Sequence, residues 1–208
     1  SVYSYDPYTL TGEMHNLGLP GGSAYVITCG EDGYLYWSTM ASTGAHLFRM
    51  NPVTMELTFH TYSGWSNYMA DMDQKGDYIY TGVSGEERHE MWKINKYTFE
   101  VVDSVDITAE MMETRYIDGV EFLDENYLWF AASSGITVID VRTMEKLPAE
   151  KIGIDGVITR AISGELNGKR YFISSKAGLG YYDIATQTFG LVSGDVVNAR
   201  TALRGKDH

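Results

Sequence analysis

Three arginines stand at the start of similar segments and offer the clearest candidate chemistry in this chain. The segments read TRYIDG, TRAISG and ARTALRG, and their arginines are Arg115, Arg160 and Arg200. A guanidinium group presents a rigid fork of N–H donors that fits a carboxylate or a phosphate. Three such groups at one opening would form an anion-binding site. The alternative is that each arginine pairs with a nearby carboxylate, such as Asp118 or Glu121, and joins neighbouring structural units.

An internal repeat indicates the elements that would position these arginines. An Asp or Asn followed three residues later by Thr occurs five times, at intervals of 45, 44, 45 and 43 residues. The repeats are centred on Asp6, Asn51, Asn95, Asp140 and Asp183. A side-chain oxygen that accepts backbone N–H bonds is typical of a β-turn, and a period of this size indicates one supersecondary unit used many times. We therefore expect a structural turn rather than five copies of a catalytic acid.

Each repeat predicts four β-strands. Around the turn, segments such as GYLYWS, HLFRMN and MELTFH, within residues 33–60, alternate with the period of a strand. A less aromatic segment precedes them, as in SAYVIT at 23–28, and is predicted to be the innermost strand. Four antiparallel strands in about 45 residues form one blade of a β-propeller. We predict an all-β propeller in a single domain, residues 1–208, with the three arginines at the starts of innermost strands.

A hairpin of the fourth repeat resembles a known family. The stretch SSGITVIDVRTMEKL, residues 133–147, resembles YVTN-type and pyrroloquinoline-quinone-type β-propeller repeats, in which a V-x-V-I-D-x-x-T-x-K pattern links two strands. The other copies, such as FRMNPVTMEL, look like degenerate forms of it. The resemblance covers almost the whole chain and implies the propeller fold. It implies no particular activity, because such folds include binding proteins, scaffolds, lactonases, lyases and quinoproteins.

The sequence leaves the number of blades open. It contains five turns and five innermost strands but four aromatic second strands, because the stretch from Val2 to Tyr5 already has the pattern of a third strand. Either a five-bladed ring closes with one strand missing, or these repeats are part of a larger ring. A missing strand leaves an unpaired edge. Such an edge could accept a strand from a partner, which is a further route to assembly.

Composition limits the partners and the chemistry. The net charge of −12 argues against nucleic acid, which requires a basic face. No run of 18 apolar residues is present to predict a transmembrane helix, and the acidic balance is compatible with an extracellular, cell-surface or periplasmic location. We expect no cofactor. Cys29 is predicted to be a buried thiol, and His46 and His89 are predicted to lie in loops before a third strand.

Aromatic side chains form a second candidate site. The loop TYSGWSNY, residues 61–68, contains Trp65 and Tyr68 next to Ser and Asn. Aromatic platforms of this kind suit contacts with sugars or peptides. The alternative is that the rings fill the space between blades.

Oxygen-bearing side chains form a weaker, third set. Asp71 and Asp73 lie in or beside an innermost strand, and carboxylates there would suit Ca²⁺ or Mg²⁺. Asn67, Asp118 and Glu121 could resemble the metal cage of lactonase-like propellers, although they have no fixed local spacing.

These observations favour a non-catalytic β-propeller that works as a binding or assembly module. It would engage a protein partner or an anionic ligand at the channel mouth, through the arginine set and the aromatic loop. The alternative is a lactonase-like hydrolase or lyase that uses the arginines and a divalent metal. An enzyme would bring arginine and acidic side chains to one pocket, whereas a scaffold would make its contacts through loops or edges.

Overall fold

A computed structural model of the chain shows five antiparallel β-sheets, one after another along the sequence. It describes residues 2–16, 23–40, 44–62, 68–111, 118–132, 135–148, 162–174 and 178–193, together with residues 18, 64 and 152. The strands are β1 (Val2–Asp6), β2 (Thr11–His15), β3 (Ser23–Cys29), β4 (Leu35–Met40), β5 (Ala45–Met50), β6 (Leu57–Tyr62), β7 (Tyr68–Lys75), β8 (Tyr78–Ser84), β9 (His89–Asn95), β10 (Val101–Asp106), β11 (Asp118–Phe122), β12 (Tyr127–Ala132), β13 (Gly135–Asp140), β14 (Glu145–Lys146), β15 (Lys169–Ser174), β16 (Gly178–Asp183) and β17 (Thr188–Ser193). A short 3-10 helix spans Thr108–Met111.

Three of the sheets have four strands each, in sequence order, and we call them blades 1, 2 and 3. They are β3–β4–β5–β6, β7–β8–β9–β10 and β11–β12–β13–β14. Blade 4 is β15–β16–β17, and a short segment lies beside β15, where the Ser163 N–H donates to the Tyr171 carbonyl at 2.8 Å. The strands β1 and β2 form a separate hairpin. The predicted four-stranded blade is confirmed.

The repeated Asp/Asn-x-x-Thr motif forms the same turn in each unit. Asn51 Oδ1 accepts the N–H groups of Val53 and Thr54 at 2.9 and 3.2 Å. The residue after each Thr has a positive φ between 52° and 61° although it is not glycine; these residues are Leu10, Met55, Phe99, Met144 and Gln187. The side-chain acceptor satisfies turn N–H groups that lie outside the strand ladder, which makes the turn structural.

Hydrophobic clusters lie between consecutive blades. The cluster between blades 1 and 2 includes Tyr36, Leu47, Met69 and Ile79. The cluster between blades 2 and 3 includes Tyr80, Met91, Phe122, Leu128 and Phe130, and the cluster between blades 3 and 4 includes Trp129, Val138, Phe172 and Tyr182. Val2 packs against blade 1 beside Trp37 and Phe48. Burying a large apolar side chain contributes about 1.5–3 kcal/mol, so each junction is a major source of stability.

In blades 1, 2 and 3 the first strand is the inner one. Strand β7 contacts both β3 and β11, the first strands of blades 1 and 3. Within the described residues, no packing of similar extent joins blade 4 to the hairpin β1–β2. Closure into a ring is therefore not seen in the described part of the chain.

Candidate functional site

The inner strands are joined by side chains that bond to the neighbouring backbone. Asp71 Oδ2 accepts the Val120 N–H at 3.3 Å, and Asp73 Oδ2 accepts the Phe122 N–H at 2.9 Å. Carboxylates that accept backbone N–H bonds across a junction hold blade 2 to blade 3. Asp71 and Asp73, which the sequence suggested as metal ligands, therefore make structural contacts. Among the described residues, no three His, Cys, Asp or Glu side chains form a group that could hold a metal ion.

The predicted ligand-binding residues lie mostly outside the described part of the chain. Arg115, Arg160, Arg200 and Trp65 are outside it. Tyr68 is the first residue of β7, and its side chain is 3% exposed. The ring packs with Tyr80 and Met91 in the cluster between blades 2 and 3, so its observed contacts are those of a core residue.

The weak metal candidates are also only partly described. Asn67 lies outside the described residues, and Asp118 begins β11 with a side chain that is not described. Glu121 is half-buried on β11 and stands opposite Trp129 in the ladder.

The histidines occupy strands, so the prediction that they lie in loops was wrong. His46 lies in β5, where its Nδ1 is 2.8 Å from Thr61 Oγ1. His89 begins β9, with Nδ1 2.9 Å from Ser84 Oγ. Both rings are buried, and burial lowers the pKa of each. Both strands begin at or before the histidine, β5 at Ala45 and β9 at His89.

The thiol of Cys29 is exposed, which contradicts the expected buried position. Cys29 follows Ile27 on the same face of β3, and the Ile27 side chain is also exposed. Successive residues of a strand face opposite sides, so the two side chains share the solvent-facing side.

A buried ion pair joins blades 1 and 2 near the turn between β3 and β4. Lys96 Nζ is 3.2 Å from Asp32 Oδ2, and the two side chains are 3% and 18% exposed. Tyr36 Oη donates to Asp32 Oδ2 at 2.7 Å, and the Tyr34 N–H donates to Oδ1 at 3.2 Å. Burial alone would raise the pKa of Asp32, but the bonds from Tyr36 and Tyr34 and the Lys96 charge together lower it.

The turn between β11 and β12 contains a related contact. Asp124 Oδ2 accepts the Tyr182 hydroxyl at 2.5 Å and the Gln187 amide at 3.1 Å, and both donors belong to blade 4. An acidic residue in the turn after the inner strand thus joins its blade to the next one. Sequence reasoning missed this role because the partners are 58 and 63 residues away.

A second inter-blade contact comes from the third strands. Two residues before the repeated Asn, Arg49 donates to the Lys96 carbonyl at 3.4 Å, and Lys93 donates to the Val141 carbonyl at 3.4 Å. Each cation also lies over the tyrosine that precedes or begins the second strand: Arg49 is 4.6 Å from the Tyr34 ring centroid, and Lys93 is 4.7 Å from that of Tyr78. Because Arg49 and Lys93 both lie two residues before the repeated Asn, the sequence alone could have indicated this contact between blades.

The hairpin β1–β2 exposes large apolar side chains. Tyr3 and Tyr5 are 63% and 56% exposed, and Met14, opposite Tyr3 in the ladder, is 70% exposed. The Tyr3 ring lies over Gly12, where a Cβ would clash with it. Within the described residues, β1 pairs with β2 alone. An exposed aromatic face beside a strand edge that is unpaired within the described residues is a candidate interaction surface.

These sheets define the class of the fold, which is a β-propeller type, and comparison with solved structures confirms it. The chain resembles a catalytically inactive virginiamycin B lyase from Staphylococcus aureus with quinupristin (TM-score 0.62, 13% identity, 88% of this chain and 59% of that chain). It also resembles the extracellular domain of a protein assigned as a one-component system in B. thetaiotaomicron (0.60, 14%, 91% and 26%). BamB from Moraxella catarrhalis is a third neighbour (0.50, 17%, 79% and 52%).

The likeness is one of fold. The chain spans between about a quarter and three-fifths of the length of these neighbours. No protein-family model matches the sequence, and no curated protein matches it significantly. The described residues include no helix long and apolar enough to cross a membrane. The expected resemblance to propeller repeats is therefore confirmed at the level of architecture.

Proposed function

We propose that this chain is a non-catalytic propeller module that binds a protein partner by accepting a strand at the edge of β1. The exposed hairpin carries this proposal. Counting back from the repeated turn, Tyr3 and Tyr5 are equivalent to Phe48 and Met50 of blade 1, which are 0% and 1% exposed. Strand β4 and the packing around it cover those two residues. A partner strand that pairs with β1 as β4 pairs with β5 would cover Tyr3 and Tyr5.

The backbone of β1 is oriented to accept such a strand. In blade 1 the Asn51 N–H donates across the hairpin to the Glu56 carbonyl at 2.9 Å, and Asp6 and Thr11 are the equivalent pair in β1 and β2. Bonding directions alternate along an antiparallel strand. The N–H and C=O groups of Tyr5, the residue before Asp6, therefore face the unpaired edge. Those of Tyr3 face the same edge.

The side chains suggest what the partner strand contains. In blade 1, Trp37 of β4 stands opposite Phe48, and the two rings stack with centroids 5.0 Å apart. Tyr3 is the equivalent of Phe48 and has no such ring above it in the described residues. An extended partner segment with an aromatic residue opposite Tyr3 would restore this pair, and an aromatic pair contributes about 0.5–1.5 kcal/mol beyond burial.

A peptide that copies the chain's own second strand tests this proposal. Fluorescein-labelled GYLYWSTM, residues 33–40, would be titrated with the protein and followed by fluorescence anisotropy, with a scrambled peptide for comparison. We expect saturable binding that weakens at least tenfold in Tyr5→Pro, because proline removes an N–H that faces the edge while leaving the hairpin bonds intact. Tyr5→Thr keeps that N–H and serves as the control. Equal affinity for Tyr5→Pro and Tyr5→Thr would contradict strand addition.

An anionic ligand at the channel mouth is a second candidate, and the order of the inner strands favours it. Strands β7 and β11 lie side by side through the bonds of Asp71 and Asp73. Arg115 precedes β11 by three residues, and Arg160 comes shortly before the segment that bonds to β15. Starts of neighbouring inner strands open on one face of a propeller, so these guanidinium groups would converge on one anion.

Calorimetric titration with citrate and inorganic pyrophosphate tests the anion site. We expect Arg115→Gln and Arg160→Gln each to weaken binding about tenfold or more, because a hydrogen bond to a charged group contributes about 1.5–3 kcal/mol. Arg142→Gln is the matched control, since Arg142 is 56% exposed and pairs with Asp140 in an outer turn. If all three variants bind alike, the arginines do not form the site.

The hydrolase or lyase alternative rests on the same arginines with a divalent metal. One structural neighbour is a lyase, which shows that the fold is compatible with such chemistry but assigns none to this chain. Calcium or magnesium binding that is lost on Glu121→Gln would favour the enzyme. We also propose an extracellular, cell-surface or periplasmic location, which the extracellular domain among the structural neighbours supports.

A further inference from the structure

A cleft of about 380 Å³ lies between the outer hairpins of blades 3 and 4. Its walls include Tyr127, Asp140 and Thr143 from blade 3 and Thr186, Gln187 and Phe189 from blade 4. Small-molecule sites in proteins have volumes of about 300–1,000 Å³, so the cleft is large enough to hold a ligand. It is separate from the edge of β1 and from the inner strands.

The cleft lies beside a position at which an apolar residue of the repeat is replaced by a glutamine, Gln187. The residue after the repeated Thr is Phe99 in blade 2, and it packs against the cluster between blades 1 and 2. In blade 3 it is Met144, which is buried in the cluster between blades 2 and 3. In blade 4 it is Gln187, whose amide instead reaches Asp124 of blade 3 at 3.1 Å. At the other two junctions we call this apolar side chain the plug; between blades 3 and 4 the position is polar, although Phe189 and Leu147 pack against the same cluster.

A second replacement occurs at the same junction. The third-strand cations Arg49 and Lys93 cross to the next blade at the first two junctions. Their equivalent in blade 3 is Val138, which has no polar group to bond to the next blade and is buried in the cluster between blades 3 and 4. Tyr127 begins β12 and corresponds to Tyr34 and Tyr78, the tyrosines that lie against Arg49 and Lys93. Its side chain lines the cleft. Arg142, from the same hairpin, lies 5.7 Å from its ring centroid.

The walls define the chemistry of the ligand. Hydroxyl groups of Thr143 and Thr186 and the amide of Gln187 both donate and accept hydrogen bonds. The carboxylate of Glu145 disfavours an anion, as does the net charge of −12, while the charge of Asp140 is balanced by Arg142. Aromatic side chains offer apolar faces that suit the C–H face of a sugar ring.

We propose that the cleft between blades 3 and 4 binds a neutral sugar residue. Hydroxyl groups of the sugar bond to the Thr, Gln and carboxylate side chains, and its apolar face lies against Tyr127 or Phe189. Lys146, also in the wall, is paired with Glu110 at 2.7 Å, so its charge is already balanced and does not select for an acidic sugar.

Saturation-transfer NMR with the methyl glycosides of glucose, galactose, mannose and N-acetylglucosamine tests this site, followed by calorimetric titration of the strongest binder. We expect Gln187→Phe to weaken binding at least tenfold, because it restores the plug that Phe99 provides elsewhere. Phe99 itself has a φ of 61°, close to the 55° of Gln187, so phenylalanine fits this backbone. Leu10→Phe, at the equivalent position of the hairpin β1–β2, is the control and should leave binding unchanged.

Thermal unfolding of each variant shows whether it is folded, and Gln187→Met provides a second plug if phenylalanine disturbs the junction. Absence of saturable binding by every glycoside at tens of millimolar would overturn the proposal. Unchanged affinity in both folded plug variants would overturn it as well. No residue of β1 lines the cleft, so Tyr5→Pro should not affect glycoside binding.

Discussion

Replacing Lys96 or Asp32 should loosen the junction between blades 1 and 2. The Lys96 amine and the Asp32 carboxylate are 3.2 Å apart and largely shielded from water. Removing one partner of a buried ion pair leaves the other charge without compensation, which costs about 3–5 kcal/mol in typical proteins. The two single variants differ in the charged group that remains: Lys96→Met leaves the Asp32 carboxylate, and Asp32→Ala leaves the Lys96 ammonium group.

The structure predicts that the loss of Asp32 is the more harmful change. After Lys96→Met, the carboxylate keeps bonds from Tyr36 Oη and the Tyr34 N–H, so we expect a loss of about 2–3 kcal/mol. After Asp32→Ala, the ammonium group is 3% exposed with its carboxylate removed, and we expect the full range of about 3–5 kcal/mol. The double variant should lose less than the sum, with a coupling of about 1–3 kcal/mol.

Urea unfolding followed by tryptophan fluorescence measures these free energies at pH 7. Arg142→Gln is the control, because its pair with Asp140 is at the surface and should contribute less than about 1 kcal/mol. A coupling below about 0.5 kcal/mol between positions 32 and 96, or a cost no greater than that of Arg142→Gln, would refute the reasoning.

Three other perturbations follow from the described contacts. Asp73→Ala should lower the free energy of unfolding by about 1–3 kcal/mol, because it leaves the Phe122 N–H without its acceptor at 2.9 Å. Asp73→Asn keeps an acceptor oxygen and should retain most of that stability. Equal losses for the two variants in urea unfolding would argue against the bond. Asn95→Ala should lower the stability by about 1 kcal/mol, because it removes the acceptor of two turn N–H groups. Asn95→Asp keeps an acceptor and should unfold at nearly the same temperature as the unchanged protein. His46 and His89 have lowered pKa values, so the unfolded chain takes up protons near pH 6.5 that the folded protein does not. Stability should therefore be full above about pH 6.5 and fall below it. His46→Asn should flatten that dependence between pH 7 and 5, and an unchanged slope would contradict the assignment.

The sequence predicted the blades well because their signals are local. The Asp/Asn-x-x-Thr turn is satisfied by bonds within three residues, as at Asn51, and strand alternation is visible over six. The inner strands were also located correctly, since β3, β7 and β11 fall on the less aromatic segments.

The contacts between blades were much harder to foresee. Asp71 and Asp73 look like metal ligands in sequence, yet each bonds to a backbone N–H 49 residues away. Whether His46, His89 and Cys29 are buried or exposed depends on which face of their strand packs against a neighbouring blade. A shift of one residue in the register reverses that face. Gln187 is different, because aligning the repeats already reveals a polar residue where Phe99 and Met144 stand.

Because the hydrophobic clusters of the described residues join consecutive sheets, the stability of the molecule resembles that of a one-dimensional array with nearest-neighbour coupling. Damage to one junction should then divide the chain into two cooperative units rather than weaken every blade equally. The hairpin β1–β2, which within the described residues packs on blade 1 alone and leaves Tyr3 and Tyr5 exposed, should open first and show the fastest amide hydrogen exchange. The same modularity lets a gene gain or lose a blade by duplication or deletion while the remaining junctions keep their contacts.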